Sequence, residues 1–174
     1  MSYLVIAYPN ISKKDFSWIQ NYRKDNDALY YKIVKPHFTI VFPTFDISEV
    51  DFINEIEKLS SNIKKFKFFI RCSTIDKDAF NDYYHEFLVP DEGYSNFIKL
   101  HDKLYSGKLS ANLRLDLDFV PHIGIGNSKN PQVCKKRINV LNEKNLKIKS
   151  IIDILDIVKY ENDSITSIKK LELN

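Results

Sequence analysis

The sequence predicts an α+β fold built as two lobes on one repeated plan. Three observations carry that expectation. The apolar pattern runs strand–helix–strand–helix–strand twice along the chain. A short string, Pro36-His37-Phe38-Thr39-Ile40, returns 85 positions later as Pro121-His122-Ile123-Gly124-Ile125. No low-complexity stretch or linker divides the copies. With 174 residues the chain can bury a sizeable core as one domain. Residues 1–174 are therefore expected to form a single two-lobed unit, with halves over about 1–76 and 83–174.

Residues 2–8 read as a buried strand, and Ser12-x-x-Asp15 opens a helix that places Phe16, Ile19 and Tyr22 on one face. Ile33 to Phe42 is rich in β-branched and aromatic residues and reads as a strand ending at Pro43. Ser48-x-x-Asp51 starts a second helix with Ile53, Ile56, Leu59 and Ile63 inward. Phe66, Phe68, Ile70 and Cys72 then alternate as a strand. In the second half, residues 84–90 form a strand, Pro90-Asp91-Glu92-Gly93 a turn and residues 94–106 a helix. The alternation of Leu113, Leu115, Leu117 and Phe119 with Arg114, Asp116 and Asp118 predicts a strand over 112–126. Pro131 suits the first turn of a helix carrying Cys134, Ile138 and Leu141. Lys147 to Val158 and Ile165 to Leu173 read as a closing hairpin around Glu161-Asn162-Asp163-Ser164.

Composition narrows the function. The chain is 44% hydrophobic and 28% charged, near globular averages, which argues against disorder and coiled coil. No apolar run approaches the ~18 residues of a membrane span, and the N-terminal apolar stretch is too short for a signal segment. A net charge of +3 does not mark a duplex-DNA binder but suits a small anionic ligand. Cys72 and Cys134 form no metal-ligand spacing, so a reduced, cytoplasmic chain is expected.

The repeated string carries the chemistry. Alternate residues of a strand share a face, so His37 and Thr39 point away from the apolar set Phe38, Ile40 and Phe42. His122 and Gly124 fall likewise opposite Ile123 and Ile125. Two such strands would offer one imidazole each to a shared cleft. An imidazole titrates near neutrality, so one could act as base while the other, protonated, acts as acid. That arrangement suits in-line phosphoryl transfer, with the Thr39 hydroxyl available to a phosphate oxygen.

His-x-Thr-x strings of this kind, half a chain apart and each preceded by proline, resemble the signature of the 2H phosphoesterases, the LigT-like 2′,5′ RNA ligase and cyclic phosphodiesterase superfamily. Tyr22-Arg23-Lys24, Lys35 through Ile40 and Phe42-Pro43 look like the first half of its small bacterial, YjcG-like branch. Leu100 through Gly107 and Phe119 through Gly126 look like the second half. The resemblance covers the whole chain. It implies a mainly antiparallel sheet in each lobe, helices on the outer faces and a central groove faced by both motifs. It also implies that His37 and His122 are the acid/base pair and that Thr39 binds the phosphate. The substrate would be a phosphodiester of an RNA end or nucleotide, with no cofactor and no metal, and the protein would act as a monomer. Position 124 departs from the pattern, because the family carries Thr or Ser there. Losing that donor costs ~1.5–3 kcal/mol, unless the Gly124 backbone N–H substitutes.

Other candidates are weaker. Lys35 and Arg114 share strand parity with the histidine row and could add positive charge. Arg23 reads as a surface ion-pair partner, and His101 and His85 as structural. Tyr30, Tyr31, Tyr83 and Tyr84 could stack a base if they rim the cleft. The alternative reading from another class is a module that binds a nucleotide or RNA end with weakened or lost catalysis. Recognition of RNA by sheet stacking is disfavoured by the lack of an aromatic RNP-like strand.

Overall fold

A computed structural model describes residues Met1–Asn174. The elements in order are β1 (Ser2–Ala7), α1 (Lys13–Asn26), β2 (Phe38–Thr44), α2 (Glu49–Ser60), β3 (Phe66–Lys77), β4 (Tyr84–Glu92), α3 (Tyr94–Leu104), a 3-10 turn (Lys108–Asn112), β5 (Ile123–Ser128), α4 (Pro131–Asn142), β6 (Ile148–Ile152), β7 (Ile154–Glu161) and β8 (Ser164–Glu172). None of the helices is long and apolar enough to cross a membrane.

The helix starts follow from capping. Ser12 Oγ accepts from the Asp15 amide at 3.0 Å and Ser48 Oγ from the Asp51 amide at 3.1 Å, each satisfying a donor the first turn leaves open. Asn130 caps α4 in the same way, with Pro131 at its first position.

The eight strands form two four-stranded sheets, ordered β2-β1-β7-β8 and β5-β4-β3-β6, and every pairing is antiparallel. Each sequence half sends strands into the other half's sheet: β3 pairs with β4, and β7 pairs with β1. The expected closing hairpin is therefore only partly present. The run from Lys147 to Val158 is two strands: β6 pairs with β3 in one sheet and β7 pairs with β1 in the other, with Asp153 at the change. Only β7 and β8 make the hairpin.

Three further boundaries differ from expectation. Pro90 to Glu92 continues β4 rather than turning. Residues 33–36 are loop, and β2 starts at Phe38 and passes through Pro43. Proline fits there because β2 is an edge strand, where a missing N–H costs no ladder bond. Residues 113–122 are not a strand, and β5 begins only at Ile123. The alternating apolar residues there are anchored singly. Phe119 stacks on His101 at 3.7 Å, whereas Leu115 is 88% exposed. With no partner strand beside them, their alternation has nothing to pair with.

One face of each sheet packs on helices around a single core of 27 residues. Phe52 and Ile56 of α2, Phe97, Leu100 and Leu104 of α3, and Ile138 and Leu141 of α4 all belong to it. Phe97 lies at its centre, 4.3 Å from Phe38 of β2 and 5.8 Å from Phe68 of β3, so it joins the two sheets. Truncating such a buried aromatic costs about 3–5 kcal/mol. The other face of the first sheet carries a second cluster, Leu4, Ile6, Val34 and Val158, with Tyr8 and Ile165 against it.

Candidate active site

His37 and His122 stand immediately before β2 and β5, half-buried, on the faces turned from the core. The expected parity holds: Phe38, Ile40, Ile123 and Ile125 are fully buried, while His37, Thr39, His122 and Gly124 are partly open. The same local geometry fixes both rings. His37 Nδ1 donates to the Lys35 carbonyl at 2.8 Å, and His122 Nδ1 donates to the Val120 carbonyl at 2.6 Å. A carbonyl only accepts, so Nδ1 carries the proton in the neutral ring and Nε2 keeps its lone pair. The prolines explain the match. The residue before a proline is held extended, which fixes where the carbonyls of Lys35 and Val120 point.

The two halves differ at Nε2. Thr39 Oγ1 lies 3.2 Å from His37 Nε2 and donates to it. His122 Nε2 has no such partner, because position 124 is glycine. Neither shape nor backbone demands that glycine. A Cβ at 124 would meet no atom within 4 Å, and its φ is not positive. Gly126 contrasts with it: a Cβ there would come 2.8 Å from Glu86 Oε2.

Burial is the main cause that pulls both imidazoles down to about 4. The hydrogen bond to Lys35 O opposes the shift at His37, and the Arg23 charge adds to it. At His122 the Val120 hydrogen bond opposes it, while His37 and His85 lie close enough to lower it further. Burial thus favours the neutral form of both imidazoles in the free site.

A wall surrounds them that sequence reasoning missed. Phe87 stacks on His122 with ring centroids 3.5 Å apart, and His85 stacks on Phe87 at 5.9 Å. His85 Nε2 in turn meets Asp78 at 2.7 Å. His85 is structural as expected, but as part of the site's wall. Its parity with Phe87 was readable, while the pairing of β4 with β5 that brings them to His122 was not. Tyr8 stands edge-on to His37 at 6.2 Å.

Arg23 is an ion-pair partner but not a surface one. It is 1% exposed and bonds to Asp27 Oδ2 at 2.8 Å. Asp27 Oδ1 also accepts from Asn127 Nδ2 of β5 at 2.6 Å and from the Tyr30 amide at 3.0 Å. The pair therefore ties α1 to the strand that follows His122. Neither residue expected to give cationic support from the strand row lies on a strand. Lys35 lies in the loop before β2 with its side chain exposed. Arg114 is off any strand, held by both oxygens of Asp116 at 2.8 and 2.6 Å, because the segment carrying it never pairs. His101 is core, donating Nδ1 to Ile40 O at 2.8 Å. Tyr30 lies 6.1 Å from His85, while Tyr83 and Tyr84 sit under Lys129 and Lys77. No group of three or more His, Cys, Asp or Glu is placed to hold a metal ion.

A family model described as the 2'-5' RNA ligase superfamily matches residues 10–164. No curated protein matches the sequence. Among solved structures, TT0787 of Thermus thermophilus is similar with a TM-score of 0.62 at 13% identity, covering 99% of this chain and 98% of that one. LigT of E. coli complexed with 3'-AMP is similar with a TM-score of 0.59 at 12% identity, over 99% and 97%. Usb1 of Kluyveromyces marxianus is similar with a TM-score of 0.56 at 9% identity, over 95% and 96%. At these identities the likeness is one of fold.

Proposed function

This chain belongs to the 2'-5' RNA ligase superfamily, and from that membership we propose that it is a two-histidine phosphodiesterase acting on 2′,3′-cyclic phosphate or 2′,5′ phosphodiester bonds of RNA ends or nucleotides. The observation that carries the reading is the matched pair of Nδ1-to-carbonyl bonds, which leaves the Nε2 lone pair of each ring available, His37 just before β2 and His122 just before β5. That a related fold, LigT, has been solved with 3'-AMP supports a nucleotide as ligand. The ordered matches around both histidine strings support a place near the YjcG-like branch.

One imidazole Nε2 takes the proton from water, or from a ribose hydroxyl, as its oxygen bonds to phosphorus. The bond from phosphorus to the leaving oxygen breaks in line, and the other Nε2, protonated, gives its proton to that oxygen. The entering phosphodiester anion provides the charge that raises one imidazole from about 4 and lets it hold that proton. Thr39 donates to a non-bridging oxygen, and Gly124 offers only backbone. Both imidazoles come from one chain, so a monomer suffices. Cys72 is exposed and Cys134 buried, both free, in keeping with a reduced, cytoplasmic setting.

The test is turnover of a panel of 2′,3′-cyclic nucleotides and 2′,5′-linked oligomers. His37→Ala and His122→Ala are each expected to lower kcat by about 10²–10⁴, and turnover is expected to persist in chelator. No turnover across the panel, or full turnover by His37→Ala, refutes the reading.

A further inference from the structure

The face of the first sheet turned from the main core carries more than the histidine row. Across its strands, Thr39 pairs with Ile6, Ile6 with Asp156, and Asp156 with Lys170, so these residues share one face. Beside His37 this face opens into a cavity of about 490 Å³, closed on one side by the loop before β2. Tyr8 and Phe16 supply aromatic walls, Lys35 and Lys170 stand at the cavity as cations, and Asp156 and Ser167 line it from β7 and β8. Tyr8 belongs both to this cavity and to the edge-on contact with His37, so the cavity adjoins the reacting centre.

Asp156 is the unusual member. It is 3% exposed, and its one hydrogen bond comes from Ser167 Oγ, 2.5 Å from Oδ1. Oδ2 has no partner in the protein, yet it is not among the polar atoms sealed without a bond. A buried carboxylate is costly unless a donor meets it, so this oxygen calls for a donor from whatever fills the cavity. Its nearness is felt at Tyr8, whose phenol is raised first by burial and then by the Asp156 charge.

Resting on the function proposed above, we propose that this cavity is a nucleobase subsite selective for guanine. The aromatic walls accept the face of any base. The carboxylate selects by edge. Guanine presents two adjacent donors, N1–H and the 2-amino group, to Oδ2 and to the remaining lone pair of Oδ1. Adenine and cytosine offer a single amino donor beside a ring acceptor. Uracil flanks its one donor with carbonyl oxygens, which the carboxylate repels. With the base held here, the ribose and its phosphate lie toward Tyr8 and His37, and Lys35 and Lys170 supply positive charge at the rim.

The test is calorimetric binding of guanosine, adenosine, cytidine and uridine 3′-monophosphates to the full chain, which does not depend on turnover. The guanine nucleotide is expected to bind about tenfold or more tightly than the uracil nucleotide. Asp156→Asn is expected to shrink that ratio to about threefold or less. Phe16→Ala, at a residue 36% exposed, removes a wall without opening the core. It is expected to weaken all four nucleotides about tenfold while keeping their order. Equal binding of the four, a preference that survives Asp156→Asn, or no nucleotide binding at all overturns the subsite. The two proposals separate cleanly: turnover without base preference leaves the phosphodiesterase standing and removes the subsite. Base-selective binding without turnover does the reverse.

Discussion

Replacing Gly124 with threonine tests what the second motif lacks. A Cβ at 124 meets no atom within 4 Å and the backbone there is not left-handed, so the new side chain enters open space on the His122 face. Position 124 pairs with Phe87 in the ladder between β4 and β5, where a β-branched residue is favoured over glycine. Stability is expected to hold or to rise by about 0.5–1 kcal/mol. The gain in catalysis comes from the hydroxyl. Thr39 shows the geometry, with Oγ1 3.2 Å from His37 Nε2 and free to reach a phosphate oxygen. A hydrogen bond to a charged group contributes ~1.5–3 kcal/mol, which converts to a rise in kcat/KM of roughly ten- to 150-fold. The assay is steady-state hydrolysis of 2′,3′-cyclic nucleotides by wild type, Gly124→Thr and Gly124→Val, the valine matching threonine in shape without the hydroxyl. Threonine should gain and valine should not. A gain below about threefold for threonine, or an equal gain for valine, refutes the reasoning, because the effect would then not come from a donor at that position.

Two other outcomes follow from the same structure. His37 and His122 titrate near 4 when folded and near 6.5 when unfolded, so between those values the unfolded chain binds more protons and stability rises with pH. Allowing for partial screening of half-buried rings, acidifying from pH 7 to 5 should cost about 2 kcal/mol more in wild type than in His37→Gln/His122→Gln. Urea denaturation at both pH values measures this, and identical pH slopes would contradict it. Arg23→Met leaves Asp27 buried without its cation and should cost about 3–5 kcal/mol, read as a lowered Tm. A loss under about 1 kcal/mol would mean that the pair holds nothing together.

The parts of the fold legible in the sequence are those that neighbouring residues decide. Ser12 and Ser48 announce their helices, because a cap bonds only three residues on. The parity of His37 against Phe38 and of His122 against Ile123 follows from the period of a strand. What stayed hidden depends on distant pairing. The run through Ile148, Ile152, Leu155 and Val158 is rich in Ile, Leu and Val on both sides of Asp153 and holds no Gly or Pro, so nothing in it marks that Asp153 divides two sheets. The alternation from Leu113 to Phe119 satisfies a local rule but finds no partner strand. His85 and Phe87 join the site only because β4 lies beside β5. The depressed imidazoles come from packing, and Asp156 became a candidate only when β1 placed it two strands from Thr39.

The exchange of β3 and β7 between the halves has an outcome for a divided chain. The tip of the β3–β4 hairpin, residues 79–82, is exposed and open to cleavage or to new termini. A break there puts His37 on one piece and His122 on the other. The first piece then carries β3, whose partners β4 and β6 have gone with the second, and the second carries β7, whose partner β1 has stayed behind. Neither piece can complete its sheet except by docking onto the other. On the proposed function, phosphodiester cleavage would report reassembly, since His37 and His122 return to one fold only when both borrowed strands are returned.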